Sequence, residues 1–319
     1  MILGDVMIDA YLWGKVERIS PEAPVPVVSV KKRENLLGGA ANVALNVKAL
    51  GAIPILCSVV GSDVKGDEFT GLLHQDGISS EGIIRSPERI TTTKFRIIGN
   101  KAQMLRVDEE MDTDLSQPEE EKLLSGIRAI FSSRQIDVVI LQDYNKGVLT
   151  SHVIDELLSM ASKLGIPVVV DPKKKNFDAY RNIDLFKPNL KELREGLKID
   201  AELNEMDKIR QAVIDWQTLQ SISAVMVTLS EAGVFIRDTS GSEVQEYHIP
   251  AHLRNIADVS GAGDTVISVA SLCRALKVPA FLTASLSNLA GGLVCEHIGV
   301  VPVNCDLLLR EALDLIAVD

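Results

Sequence analysis

Along this 319-residue chain, short apolar runs alternate with segments of helical periodicity. Asp137 to Leu141, Ile166 to Val170 and Ala224 to Leu229 are each the length of one buried strand. Helical stretches from Pro118 to Phe131 and from His152 to Leu164 lie between and before them, the second closed by Gly165. A strand joined to its neighbour through a crossover helix runs parallel to it, and a parallel sheet buries both of its faces. The alternation predicts an α/β fold, a mostly parallel central sheet with helices on both sides. There is no internal repeat, low-complexity linker or sharp break in composition, so residues 1–319 read as a single domain.

Two segments depart from this rhythm. Residues 11 to 30 carry three prolines among alternating valines, which suits edge strands better than central ones. Thr93–Ile98 and Met104–Val107 read as a hairpin turning at Gly99-Asn100. Together, segments 11–32 and 91–107 are expected to form a small β lid. The hairpin's alternation puts Lys94, Arg96 and Arg106 on one polar face, able to cover an anion; an ordinary solvated strand face is the alternative. At the chain start, Ile2-Leu3 reads as the tail of a buried strand, followed by a loop that carries Asp5 and Asp9.

A formal net charge of −11 argues against nucleic acid as the main partner. No apolar run reaches the roughly eighteen residues of a membrane span, and the first residues lack the basic region of a signal peptide. Cys57, Cys273, Cys295 and Cys305 form no C-x-x-C pair and read as free thiols in a reducing cytoplasm. His248 and His252 are four apart, but Pro250 between them prevents a helix from presenting both to a metal.

The chemistry concentrates near the end, in Asp258-Val-Ser-Gly-Ala-Gly-Asp264, which runs straight into the apolar stretch Thr265 to Leu276. Gly261 and Gly263 allow a tight turn and close approach of a ligand to the backbone. The unpaired N–H groups and the dipole of the following helix favour phosphate oxygens there. Asp264 adds a carboxylate, ionised at neutral pH, where an anion pocket alone would want none. An anion cradle with a base beside it suits phosphoryl transfer to a hydroxyl. Taken alone, the stretch could equally be a capped core helix. Dinucleotide binding fits poorly, because Val266 stands at the third glycine position of G-x-G-x-x-G.

Other stretches can complete such a site. Gly38-Gly39 opens a helix with Asn42 in its first turn, where the amide could bind hydroxyls or simply cap. Gly61 to Gly66 has the spacing of a phosphate loop, but Asp67 stands where lysine is required. Asp143-Tyr-Asn-Lys146-Gly147 follows a strand end, and Asp171-Pro-Lys173 follows another. Asn189 and Glu192, three apart at a helix start, can serve water-bound Mg²⁺ or form a capping box.

Taken in order, these motifs resemble the ribokinase (phosphofructokinase-B-type) sugar kinases: Gly38-Gly39-Ala-Ala-Asn42, Gly61-x-Asp63-x-x-Gly66, Asn189-x-x-Glu192 and Asp258-x-Ser-Gly-Ala-Gly-Asp264. Gly4-Asp-Val-Met-Ile-Asp9, Arg18-Ile-Ser-Pro-Glu-Ala-Pro-Val-Pro-Val27, Asp143-Tyr-x-Lys-Gly147 and Asp171-Pro-Lys narrow the likeness to the D-glycero-β-D-manno-heptose 7-phosphate kinases. The resemblance implies a three-layer sandwich and phosphorylation of the anomeric hydroxyl of that phosphosugar by ATP with Mg²⁺, on the way to ADP-heptose and lipopolysaccharide. It implies Asp264 as the catalytic base and the amides of Gly261, Ala262 and Gly263 as the anion hole. It puts Asp9, Gly39 and Asn42 on the sugar hydroxyls, with Gly38 and Asp143 also expected at the substrate, while Lys94, Arg106 and Lys146 are candidates for the substrate phosphate or that of ATP. Lys173, Asn189, Ser230, Gly233 and Asn288 fall to the nucleotide, and Asn189 and Glu192 to the metal through water. Ser230 stands where many relatives have glycine. A homodimer formed through the lid is expected, and a monovalent cation near Asp258 stays open. The best-known members carry a further adenylyltransferase domain, for which residues 1–319 show no H-x-G-H-type motif. The rival readings are a kinase of the same family with another acceptor (a fructose phosphate, ribose or adenosine) and a non-catalytic sugar or nucleotide sensor.

Overall fold

The computed structural model describes residues 1–316 except Lys101, Asn204 and Leu253. Lys101, inside the expected lid, and residues 317–319 lie outside the described residues. In chain order the first elements are β1 (Ile2–Gly4), β2 (Val6–Ile19), β3 (Pro26–Gly39), α1 (Ala40–Ala49), β4 (Leu56–Gly61), α2 (Val64–Gln75), β5 (Gly82–Ser86), β6 (Thr93–Gly99) and β7 (Ala102–Glu109). There follow α3 (Gln117–Ser133), β8 (Val139–Gln142), α4 (Ser151–Leu164), β9 (Val168–Asp171), β10 (Leu185–Phe186), α5 (Leu190–Leu197) and α6 (Met206–Gln220). The last are β11 (Ala224–Thr228), β12 (Val234–Asp238), β13 (Gln245–Ile249), α7 (Ala262–Ala275), α8 (Ala280–Val294) and α9 (Cys305–Ile316).

The main sheet runs β13-β12-β11-β10-β9-β8-β1-β4-β5, parallel from β11 to β5 and antiparallel where β12 and β13 join. Its strands are apolar on both faces. Leu3, Val139, Leu141, Val168 and Val170 pack into one core with α3, α4 and α6, while Ile2, Ile140 and Val169 pack into another with α1, α2 and α7. Helix α7 lies between layers: Val266, Ile267 and Ala270 face the sheet, and Val269 and Cys273 face α8 and α9. A helix covered on both sides is apolar nearly all round, which is how Thr265 to Leu276 reads.

From β1 the sheet grows one way through β4 and β5, then the other way through β8, β9 and β10. The crevice beyond the carboxyl ends of β1 and β8 is therefore a topological switch point, where ligands bind in such sheets. The N-terminus of α7 sits over it.

The lid is a second sheet, β3-β2-β6-β7. It is larger than the sequence suggested: β2 starts at Val6, so Asp9 lies within a strand and not in a loop. Its partner β6 runs parallel beside it and pairs Asp9 with Lys94 and Tyr11 with Arg96. Ile8 and Ala10 alternate into the core while Asp9 and Tyr11 point the other way, and this alternation holds the strand in register. The prolines Pro21, Pro24 and Pro26 fall at the hairpin end and on β3, an edge strand. Among the described residues no helix is long and apolar enough to cross a membrane.

Candidate active site

Gly261 caps α7 at φ 80°, and a Cβ there would stand 2.9 Å from the Asn42 amide nitrogen. Glycine thus lets α7 begin against α1, which brings Asp264 into the crevice. Three side chains hold its carboxylate. Asn42 donates to Oδ2 at 2.8 Å. The Tyr144 hydroxyl, just after β8, and the amide of Gln142, the last residue of β8, donate to Oδ1 at 2.7 and 3.1 Å. Burial pushes the Asp264 pKa up to about 6, against Asn42 and Tyr144, which favour the ionised form. Asp171 adds to the rise and Lys187 opposes it.

Those last two residues form a buried ion pair at 3.1 Å, with Asp171 ending β9 and Lys187 following β10. Gln142 also reaches Asp171, at 3.3 Å. Built on Gly263, a Cβ would point at this pair from 3.9 Å, so the glycine leaves a cradle between α7 and a buried cation. Of the three amides expected there, that of Ala262 already donates to the Val259 carbonyl at 3.3 Å.

The inner face of the lid closes the crevice from above. Asp9 is buried and ion-paired with Arg96, whose guanidinium lies 5.3 Å from the Tyr11 ring centroid. A Cβ on Gly38 would collide with the Asp9 carboxylate, and one on Gly39 (φ 61°) with the Asp5 carbonyl. The paired glycines therefore seat the start of α1 against two acids. Lys94 is half-buried on the same face as Arg96. Arg106 pairs with Asp108 at 3.0 Å, and Lys146 with Glu110 at 2.7 Å.

Asp143 does not face this crevice. It is fully buried and accepts from Tyr180, Asn176 and the Asn145 amide, with its pKa raised to about 6 by burial and by Asp5. Expected at the substrate, its carboxylate is engaged here by protein donors that shape the loop. Asp5, between β1 and β2, does the same, accepting from the amides of Tyr144, Lys146 and Val148.

On the other flank, Asn189 and Glu192 form a reciprocal capping box, with both bonds at 2.8 Å. Glu192 also pairs with Lys173, whose ammonium lies 5.5 Å from the Tyr144 ring centroid. Burial would lower the Lys173 pKa, but Asp171 and Glu192 raise it overall. Ser230 (φ 52°) and Gly233 (φ 89°) turn the chain between β11 and β12, and a Cβ on Gly233 would meet the Ile249 carbonyl at 2.0 Å. Asn288 donates to the Pro250 carbonyl at 2.8 Å. Asp258 accepts from the Ser260 amide and hydroxyl and from the Gly299 amide. Although burial opposes it, these bonds hold its carboxyl below the usual range.

Sequence reasoning singled out the stretches that hold Tyr144 and Asp171 without giving either residue a role, and passed over Gln142, Lys187 and Asn46. Gln142 and Lys187 sit at or just beyond strand ends, the signal that had already pointed to the other two stretches. Asn46 lies one turn along α1 from Asn42, an i, i+4 pair of amides on a buried helix face.

The sequence profile of pfkB family carbohydrate kinases matches residues 1–304. The chain belongs to that family. This pfkB carbohydrate kinase is similar to the bifunctional protein HldE of Wolinella succinogenes, at 40% identity over 299 residues, 94% of this chain and 61% of that protein. HldE of Citrifermentans bemidjiense is 37% identical over 303 residues, 95% of this chain and again 61% of the relative. The chain thus spans about three fifths of the length of these relatives. Among solved structures, phosphofructokinase-2 from Escherichia coli in complex with potassium superposes with a TM-score of 0.80 at 19% identity, covering 99% of each chain. Arabidopsis thaliana ribokinase complexed with ribose and ATP gives 0.72 at 18% identity, covering 98% of this chain and 97% of that one. These likenesses establish the ribokinase-like fold expected from the motifs.

Proposed function

We propose that this kinase transfers the γ-phosphoryl group of ATP to the anomeric hydroxyl of D-glycero-D-manno-heptose 7-phosphate, giving the 1,7-bisphosphate on the route to ADP-heptose and lipopolysaccharide. The acceptor is supported by the HldE relatives, whose name belongs to a longer, bifunctional protein. The chemistry is supported by one observation above the rest: a buried carboxylate, Asp264, held by three donors at the N-terminus of α7.

The anomeric oxygen forms a bond to the γ-phosphorus, the bond from that phosphorus to the ADP oxygen breaks, and the hydroxyl proton passes to Asp264. With its pKa near 6, Asp264 is ionised at pH 7 yet a stronger base than an ordinary aspartate. Oδ1 has two donors and Oδ2 only Asn42, so Oδ2 keeps a lone pair for the incoming hydroxyl. The N-terminus of α7, with the amides of Gly261 and Gly263, and the Lys187 ammonium lie where charge grows on the transferred oxygens.

Asp9, Gly38, Gly39 and Asn42 border the sugar, with Lys94, Arg106 and Lys146 toward its phosphate. Lys173, Ser230, Gly233 and Asn288 border the nucleotide. Asn189 and Glu192 would hold Mg²⁺ through water: their capping box and the Lys173 pair already occupy them, and no group of three His, Cys, Asp or Glu that could hold a metal occurs among the described residues. When bound, Mg²⁺ neutralises charge on the phosphate oxygens. A monovalent cation beside Asp258 has less support, because both carboxylate oxygens are taken by Ser260 and Gly299. The lid would close over the sugar and exclude water, a homodimer would form through it, and the enzyme would work in the cytoplasm.

A coupled assay of ADP release tests this. Heptose 7-phosphate should be turned over with the highest kcat/KM in a panel with fructose phosphates, ribose and adenosine. A better acceptor elsewhere in the panel would overturn the narrower assignment. Absence of turnover with every acceptor would favour a sensor.

A further inference from the structure

We infer that Asn46 is a positioning residue for the Asp264 base, acting through Asn42 to fix which way that amide faces the carboxylate. The inference rests on the reading of Asp264 as the base.

Asn46 is fully buried between α1, α7 and the segment before α9. Its Oδ1 accepts from the Val303 amide at 2.9 Å and is reached by the Thr265 hydroxyl at 3.1 Å. A backbone N–H can only donate, so Val303 settles which end of the Asn46 amide is oxygen. The nitrogen must then face α1, where it lies 3.0 Å from the Asn42 carbonyl and 3.2 Å from Asn42 Oδ1. That contact settles Asn42 in turn: with its oxygen turned to Asn46, its nitrogen faces Asp264 Oδ2 at 2.8 Å. A reversed Asn42 amide would press an oxygen against an ionised carboxylate with no proton between them. One main-chain N–H thus sets the polarity of a relay of two amides ending on the base.

An apolar residue would fill this helix contact at less desolvation cost, since a buried amide is tolerated only when its hydrogen bonds are made. Of the Asn46 side-chain bonds, those with the Val303 N–H and Asn42 Oδ1 make the relay, and those with the Thr265 hydroxyl and the Asn42 carbonyl anchor it. The other groups facing Asp264 come from different elements: Gln142 at the end of β8, Tyr144 after it, Asp171 on β9 and Lys187 after β10.

The test compares Asn46→Ala, Asn42→Ala and the double variant. Asp264 is titrated by carboxyl ¹³C NMR, its resonance assigned by its loss in Asp264→Asn, and kcat/KM is measured against pH. Asn46→Ala should move the Asp264 pKa from about 6 toward about 7. The acid limb of kcat/KM should move with it, and kcat/KM at pH 7 should fall about twofold, as about half of the base is then protonated. The double variant should shift the titration no further than Asn42→Ala alone, because both residues act along one path. A folded Asn46→Ala protein with an unmoved Asp264 titration, or additive shifts in the double variant, overturns the inference. Should Asn46→Ala fail to fold, Asn46→Ser keeps an acceptor for Val303 and is held to the same titration. The NMR readout needs no turnover, so it decides the relay even if the kinase assay rejects Asp264 as the base.

Discussion

The Tyr144 hydroxyl donates to Oδ1 of Asp264 across 2.7 Å, although 120 residues separate the two in sequence. Burial and the Asp264 charge raise the Tyr144 pKa well above 10, so the phenol remains a donor throughout the working pH range. Tyr144→Phe keeps the ring and removes one of the bonds that stabilise the ionised base. The Asp264 pKa should rise above about 6, and kcat at pH 7 should drop about fivefold to fiftyfold. A pH–rate profile checks this; an acid limb at the wild-type position would detach Tyr144 from the base.

Asp264→Asn separates chemistry from stability. Turnover should fall about a hundredfold to ten-thousandfold, while ATP still binds by calorimetry. Stability should move the opposite way. The folded pKa of about 6 exceeds the ordinary 3.8, so between those values the native state binds more protons than the unfolded chain. Wild-type stability therefore declines as pH rises through that window, and the deficit persists above it. The variant carries no such deficit: it should match the wild type near pH 4 and exceed it at pH 8 by about 1–3 kcal/mol. Thermal melts at both pH values decide the sign.

Much of this site was legible because its parts obey local rules. Gly261 is required by a left-handed backbone, Asp264 lies in the first turn of an apolar helix, and the strand–helix rhythm gives the sheet. Contacts across the fold were less visible. Asp143 and Tyr144 are neighbours after the same strand, yet one turns into the core toward Tyr180 and the other toward Asp264. Sequence spacing cannot tell these apart, since the loop between β8 and α4 has no fixed period. Lys187 escaped notice for a similar reason. A lysine beside a proline reads as surface, and only its pairing with Asp171 explains its burial.

Arg96 should govern acceptor affinity. It neutralises Asp9, the acid nearest the expected sugar, and lies over the Tyr11 ring. Arg96→Gln leaves Asp9 a buried charge without its partner, at a cost of about 1.5–3 kcal/mol. The acceptor KM should rise about tenfold to a hundredfold, with the ATP KM unchanged in initial-rate measurements. Equal increases in both constants would point to a general distortion of the lid.

The outer face of the lid predicts an assembly. Leu105 and Val107 are exposed and pair across to Ile97 and Phe95, so the apolar face of this sheet continues beyond the core. Covering it with a second lid would remove that surface from water. Light scattering should give a dimer for the wild type and a monomer for Leu105→Glu, with folding stability within about 0.5 kcal/mol. A wild-type monomer at high micromolar concentration would rule the assembly out.

Gly261 and Gly263, two residues apart, should respond differently to the same methyl group. At Gly261 the backbone is left-handed and a Cβ would stand 2.9 Å from the Asn42 nitrogen. Gly261→Ala should therefore lose about 1–2 kcal/mol of stability and disturb the Asn42–Asp264 bond, so melting temperature and kcat fall together. Gly263 lies within α7, and its Cβ would sit 3.9 Å from Asp171 and Lys187, ordinary contact. Gly263→Ala should leave stability equal or raise it by about 0.5–1 kcal/mol, as alanine does inside a helix. Its methyl would nonetheless occupy the cradle where the transferred phosphoryl oxygens are expected. Turnover should fall about tenfold or more in a protein that melts no lower than the wild type. Wild-type turnover by Gly263→Ala would move the phosphoryl group away from this cradle, whereas a parallel loss of stability would show that the glycine is needed for packing alone.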